Sequence, residues 1–133
     1  MCSMTAQGRP HARFMRALAS RNPTLVVAAA AELERLSLAD ALAVTLVFLP
    51  ADPGRFERAS VRWHARWCLE TSPRADEAGL ALAALRALPG PARQAGAEAL
   101  SELLEARGLG AAARVLSEWL DTADVGPAGK QHT

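Results

Sequence analysis

Residues 53–71 read PGRFERASVRWHARWCLET. In an α-helix each residue turns by about 100°, which places Trp63 and Trp67 on one side and the arginines on the opposite side. The preceding Asp52 can cap a helix, and Pro53 suits the first helical position because it has no N–H to leave unpaired. The stretch therefore predicts an amphipathic helix whose aromatic side is buried in a core.

The remaining sequence has the composition of an all-α protein. Half of the 133 residues are hydrophobic but only 5% are aromatic, and alanine and leucine, both strong helix formers, supply most of the apolar content. Candidate N-caps at Asn22, Ser37, Asp52 and Ser72, and glycines that suit helix ends, divide the chain into about seven short helices. We place these helices near residues 10–21, 23–36, 38–49, 53–71, 73–88, 91–107 and 110–122.

The chain is long enough to form one hydrophobic core. We expect a single helical domain over residues 9–123, a flexible N-terminus over 1–8 and a flexible C-terminal tail over 124–133. The short predicted loops favour antiparallel neighbours, and the similarity between SLADALAVTLVFL and ADEAGLALAALRAL fits a helical repeat. Both a compact orthogonal bundle and a short α-solenoid of helical hairpins agree with these features.

The predicted helix 38–49 (LADALAVTLVFL) is apolar on both of its sides. The leucines Leu42, Leu46 and Leu49 face one way, and the other side carries Val44, Val47 and Phe48. The helix near 75–88 has a similar composition after its first turn. A helix that is apolar all round must be covered all round. Such a helix therefore lies at the centre of the domain, or a second copy of the chain covers it in a homodimer.

Charge and cysteine content narrow the class of protein. The net charge is +1, so no overall field attracts nucleic acid or anionic lipid. Cys2 and Cys68 are the only cysteines, which argues against a disulfide framework. No apolar leader segment is seen, and the longest apolar run, Ala41 to Pro50, is too short to span a bilayer. We therefore expect a cytoplasmic protein without a membrane segment.

His64 and Cys68 are the candidates for metal ligands. They lie four residues apart in the predicted helix, a spacing at which two side chains can reach one ion. A structural zinc needs further ligands, however, and no paired motif in the sequence supplies them. We therefore interpret Cys68 as a small buried residue and His64 as a residue at the edge of the core, and we predict no metal and no cofactor.

Two charged stripes are the candidates for partner binding. The basic stripe on the 53–71 helix consists of Arg55, Arg58, Arg62 and Arg66. Such a stripe can follow nucleic-acid phosphates or contact another protein. We predict instead that it lies in solvent and pairs with acids of neighbouring helices. The helix 91–107 carries an acidic stripe, either a solvated face or a docking surface, which consists of Glu98, Glu102 and Glu105.

The segment RFERASVRWHARWCLE is followed by LALAALRALPGP. The run from Arg55 to Leu120, which contains both segments, resembles small uncharacterised all-helical proteins of actinobacteria. The resemblance covers the middle of the chain and implies an all-α fold. It implies no activity, cofactor or site residue.

No pattern in the sequence indicates catalysis. There is no Gly-rich phosphate loop, no G-x-S-x-G and no H-E-x-x-H, and we assign no catalytic residue. Residues 1–66 carry nine basic and five acidic residues, whereas residues 67–133 carry six basic and nine acidic ones. These oppositely charged halves, with the arginines and tryptophans on one helix and the apolar helix, favour a non-catalytic helical protein–protein interaction module, such as an adaptor or a small regulatory subunit. The alternatives are a nucleic-acid-associated regulator that uses the arginine stripe, and a small-molecule-binding helical bundle or enzyme.

Overall fold

The computed structural model describes residues 2–125, with side chains for residues 8–123. Within this range it contains seven α-helices and no β-strand, so the predicted all-α class is confirmed. The predicted flexibility of residues 1–8 and 124–133 stays a prediction, and residues 126–133 of that tail lie outside the described residues. The helices are α1 (Cys2–Ser20), α2 (Pro23–Ala31), α3 (Leu38–Ala51), α4 (Pro53–Thr71), α5 (Ala75–Ala87), α6 (Arg93–Ala106) and α7 (Gly110–Val125).

Side-chain caps set three of the helix starts, as the sequence predicted. The side chain of Asn22 accepts hydrogen bonds from two backbone N–H groups of α2, and the hydroxyl of Ser37 accepts one at the start of α3. The carboxylate of Asp52 accepts one at the start of α4. Each cap satisfies a donor that the first turn of a helix leaves unpaired. Because Asp52 alone separates α3 from α4, the chain reverses there within a single residue.

The first two helices differ in length from the predicted ones. The helix α1 begins at Cys2 rather than near residue 10 and continues through Pro10, although proline cannot donate the backbone hydrogen bond of a helix interior. The helix α2 ends at Ala31 rather than at residue 36. The non-helical segment that follows brings Leu33 and Leu36 against the cluster between α1 and α2.

The boundary between α4 and α5 also differs from the prediction. The sequence suggests that Ser72 caps a helix starting at Pro73, but Ser72 instead closes α4 in the left-handed conformation, with φ of 49°. Its backbone N–H donates to the carbonyl of Cys68 in the last turn of α4. The following helix therefore begins later, at Ala75.

The helix α3 is the centre of the fold. It contacts α1, α2, α4 and α7, and its side chains divide between two clusters. Leu42 and Leu46 belong to the main core together with Phe48, which the sequence predicts to lie on the opposite side, whereas Val47 packs with Phe14 and Val26 of the first two helices. The last helix, α7, packs against α3. In a solenoid each hairpin contacts only its neighbours, so the chain forms a compact bundle instead.

The position of α3 bears on the predicted homodimer. Both of its sides are covered within one chain, so no second copy is needed to cover it, and the argument for a homodimer through this helix loses its basis. Self-association itself stays a prediction. The other apolar helix, α5, lies at the surface, where Leu80 is 47% exposed. A single exposed leucine is common in monomeric proteins.

Trp63 and Trp67 lie in the main core, as predicted. Their exposed fractions are 3% and 0%, and their ring planes are 5° apart. The indole N–H of Trp63 donates a 2.9 Å hydrogen bond to the carbonyl of Leu38 at the start of α3. Phe56, on the same side of α4, is also buried. Because this side faces the core, the opposite side of α4 faces solvent.

Arg107, at the end of α6, holds the junction between α4 and α5. Its Nη1 lies 3.1 Å from Oε1 of Glu77, and its Nη2 donates to the carbonyl of Thr71. The same carboxylate of Glu77 accepts a hydrogen bond from the backbone N–H of Arg74 at the start of α5. These contacts tie the end of α4 to the start of α5.

Candidate partner-binding surface

The outward side of α4 combines positive charge with an exposed apolar side chain. Arg58, Arg62, Ala65 and Leu69 are exposed on it, and we call these four residues the α4 outer face. Leu69 is 84% exposed, more than any other large hydrophobic residue among those the structure describes. The surface therefore offers both ionic and apolar contacts to a partner.

The sequence singles out the arginines of this face but not Leu69. The available signal is spacing, because Leu69 follows Ala65 by four residues and Arg62 by seven. Residues at these separations share one face of a helix. The tryptophan side of α4 packs in the core, as helical periodicity predicts, and the opposite face that carries Leu69 is exposed.

The other two arginines of the basic stripe are engaged by neighbouring side chains. The guanidinium of Arg55 lies over the ring of Phe48, 4.3 Å from its centroid. Nε of Arg66 lies 2.5 Å from Oε2 of Glu70 in the same helix. The two arginines of the α4 outer face form no ion pair with any described residue. The sequence predicts that this stripe pairs with acids of neighbouring helices, but no such ion pair exists among the described residues.

The acidic stripe of α6 is a separate surface. Glu98, Glu102 and Glu105 are exposed, and the carboxylate of Glu98 accepts a hydrogen bond from the side-chain amide of Gln94. Glu98 and Glu102 border a cavity of about 180 Å³ between α6 and α7. Because the backbones of α4 and α6 do not approach each other closely within the described chain, we treat the basic and acidic stripes as separate surfaces.

His64 and Cys68 come close together. Sγ of Cys68 lies 3.9 Å from Nδ1 of His64, while Nε2 of His64 lies 2.7 Å from the carbonyl oxygen of Ala78. Since a carbonyl can only accept, Nε2 carries the proton and donates to it. Residues 8–123 contain no group of three or more His, Cys, Asp or Glu side chains that could hold a metal ion. The histidine therefore serves here to tie α4 to α5.

A groove of about 300 Å³ lies between α4 and α5. Two charged residues, Glu57 and Arg86, line it together with Ser60. The hydroxyl of Ser60 is buried and has no hydrogen-bond partner among the described residues. The rest of the lining is apolar and consists of Pro53, Phe56, Val61, Leu82, Leu85 and Pro89.

Replacing Ser60 with alanine is expected to leave the free energy of unfolding unchanged or to raise it by up to about 1 kcal/mol. A buried hydroxyl without a partner has lost its hydration and gained no hydrogen bond, so its removal costs little. Urea denaturation of the Ser60→Ala variant measures the change. A loss of more than about 1 kcal/mol would contradict the unpaired state of the hydroxyl.

Comparison with known proteins adds no assignment to these surfaces. No protein-family model, curated protein or solved structure matches the chain. Among the helices within residues 2–125, none combines the length and the apolar character needed to cross a membrane. The functional interpretation therefore rests on the surfaces described above.

Proposed function

We propose that this chain is a non-catalytic helical module that binds another protein through the α4 outer face. The observation that carries the proposal is that Leu69, 84% exposed, shares one face of α4 with Arg58 and Arg62, which form no ion pair with any described residue. Burying such a leucine contributes about 1.5–3 kcal/mol. Interfaces are also enriched in arginine relative to the rest of the protein surface.

The inner side of α4 supports this role because it makes the outer face rigid. The helix is 19 residues long, and Trp63 and Trp67 anchor its inner side in the core. The hydrogen bond from Trp63 to Leu38 joins it to the central helix. A rigid face loses little conformational entropy on binding, so more of the contact energy contributes to affinity.

The chemistry of the outer face supports an acidic amphipathic helix as the partner segment. Arg58 and Arg62 lie one helical turn apart, so two carboxylates one turn apart on a partner helix can pair with both. An apolar residue on the same partner face covers Leu69. A nucleic-acid backbone would meet the arginines but would leave the leucine without an apolar contact.

The double variant Arg58→Glu/Arg62→Glu is expected to bind the partner at least about tenfold more weakly, because two attractive contacts become repulsive. A photo-crosslinking amino acid at Ala65 would first capture the partner in cells that express the chain. The captured protein is then purified and titrated by calorimetry against the wild type and the variant. Leu69→Ala should also weaken binding, with little change in stability.

A matched control is Arg16→Glu/Arg114→Glu. Both arginines are exposed on other helices, α1 and α7, and neither forms an ion pair with a described residue. This variant has the same net charge as the outer-face variant and is expected to bind as the wild type does. Equal weakening in the two double variants would indicate general attraction to positive charge, and the proposal would then be wrong.

Nucleic-acid binding by the same face would give another result. In that case the wild type would shift DNA or RNA at physiological salt and the Arg58→Glu/Arg62→Glu variant would not. We expect no such shift. The proposed role is that of an adaptor or a small regulatory subunit in the cytoplasm, and the free thiol of Cys68 fits a reducing compartment.

A further inference from the structure

The size and lining of the α4–α5 groove indicate a second site. Phe56 and Leu85, which are 2% and 0% exposed, contribute buried apolar surface to it, and Val61 and Leu82 are more accessible. Its volume of about 300 Å³ is at the lower end of the range for small-molecule pockets. The groove therefore suits a compact ligand with one apolar group rather than a large cofactor.

Two opposite charges flank this groove. Glu57 comes from α4 and Arg86 from α5, and both line the groove and are exposed. Neither forms an ion pair with the other or with any other residue that the structure describes. A carboxylate and a guanidinium from different helices are therefore both available to an occupant. A ligand that carries both charges is complementary to this pair.

Ser60 adds an unused hydrogen-bonding group to the same groove. The residue is 4% exposed, and its hydroxyl has no partner among the described residues. A hydroxyl can both donate and accept, so a polar group of a ligand that enters the groove far enough to reach this covered hydroxyl would satisfy it. This removes the cost of a buried polar group without a partner.

We propose that the α4–α5 groove binds a free amino acid with a large apolar side chain. The side chain occupies the apolar part of the groove beside Val61 and Leu82, which are its accessible apolar residues. The ligand carboxylate accepts hydrogen bonds from Arg86, and the ligand ammonium group pairs with Glu57. This site goes beyond the proposed function, because it lies away from the α4 outer face and requires no partner protein.

Titration of the intact chain with L-phenylalanine tests the proposal. The readout is the chemical shift of the methyl groups of Val61 and Leu82, measured by NMR. We expect saturable shifts with a dissociation constant on the order of 1 mM, which is typical of a small ligand with few polar contacts. The compound 3-phenylpropionate lacks the ammonium group, and 2-phenylethylamine lacks the carboxylate. Each should bind at least about fivefold more weakly than phenylalanine.

Two variants separate the contributions of the charges. Glu57→Gln should weaken phenylalanine binding severalfold but leave 3-phenylpropionate unchanged, and Arg86→Gln should weaken phenylalanine but leave 2-phenylethylamine unchanged. The outer-face variant Arg58→Glu/Arg62→Glu should bind phenylalanine as the wild type does, so failure of the protein interaction leaves this result unaffected. The proposal is overturned if no saturable shift occurs up to about 20 mM, if all three ligands bind equally, or if both Gln variants bind phenylalanine normally.

Discussion

Replacing Trp67 with alanine is expected to lower the free energy of unfolding by about 3–5 kcal/mol. Trp67 is fully buried in the main core, and its ring centroid lies 6.3 Å from that of Trp63. Truncation therefore removes a large apolar surface and leaves a cavity. Small domains are stable by only about 5–15 kcal/mol, so the loss is a large share of the total. Urea denaturation followed by circular dichroism measures it.

Leu69→Ala is the matched control for this variant. The residue lies two positions further along the same helix and is 84% exposed, so its truncation should change stability by no more than about 0.5 kcal/mol. If Trp67→Ala fails to fold, Trp67→Phe keeps part of the aromatic volume, and it breaks no hydrogen bond because the Trp67 indole N–H has no partner among the described residues. If both Trp67 variants were as stable as the wild type, the position of Trp67 in the core would be contradicted.

Gly96→Ala is expected to lower the free energy of unfolding by about 1–3 kcal/mol, although alanine favours helices more than glycine does. A Cβ at this position would lie 2.8 Å from the carbonyl oxygen of Ala84 and 2.9 Å from the Cβ of Ala87. Both atoms belong to α5, and the carbonyl oxygen cannot rotate away as a flexible side chain can. The helices α5 and α6 must therefore move apart. Urea denaturation measures the loss.

Gly79→Ala serves as the control for Gly96→Ala. Gly79 also lies within a helix, but a Cβ there would meet nothing within 4 Å. Alanine should therefore raise the free energy of unfolding by about 0.5–1 kcal/mol, because it restricts the unfolded chain more than glycine does. Opposite signs at the two positions separate the effect of packing from that of helix propensity. Stabilisation by both substitutions would contradict the close approach of α5 and α6 at Gly96.

The features that depend on local interactions could be predicted from the sequence. Asn22, Ser37 and Asp52 cap the helices that follow them, because a cap involves only residues within one turn. The burial of Trp63 and Trp67 follows from helical periodicity, which places them opposite the arginines. Ser72 shows the limit of this reasoning, because the same residue type can begin one helix or close the previous one.

Helix propensity and periodicity are properties of short segments, so they specify the all-α class and the side of α4 that faces the core. The central position of α3 is not specified in this way, since its apolar sides suit either a bundle or a dimer until its neighbours are known. The packed structure also shows that Arg58 and Arg62 form no ion pair with a described residue and that Leu69 is exposed on the same face. The groove between α4 and α5 likewise exists only because these two helices pack together. These features depend on contacts between residues far apart in the chain, and helical periodicity does not specify which faces of different helices meet.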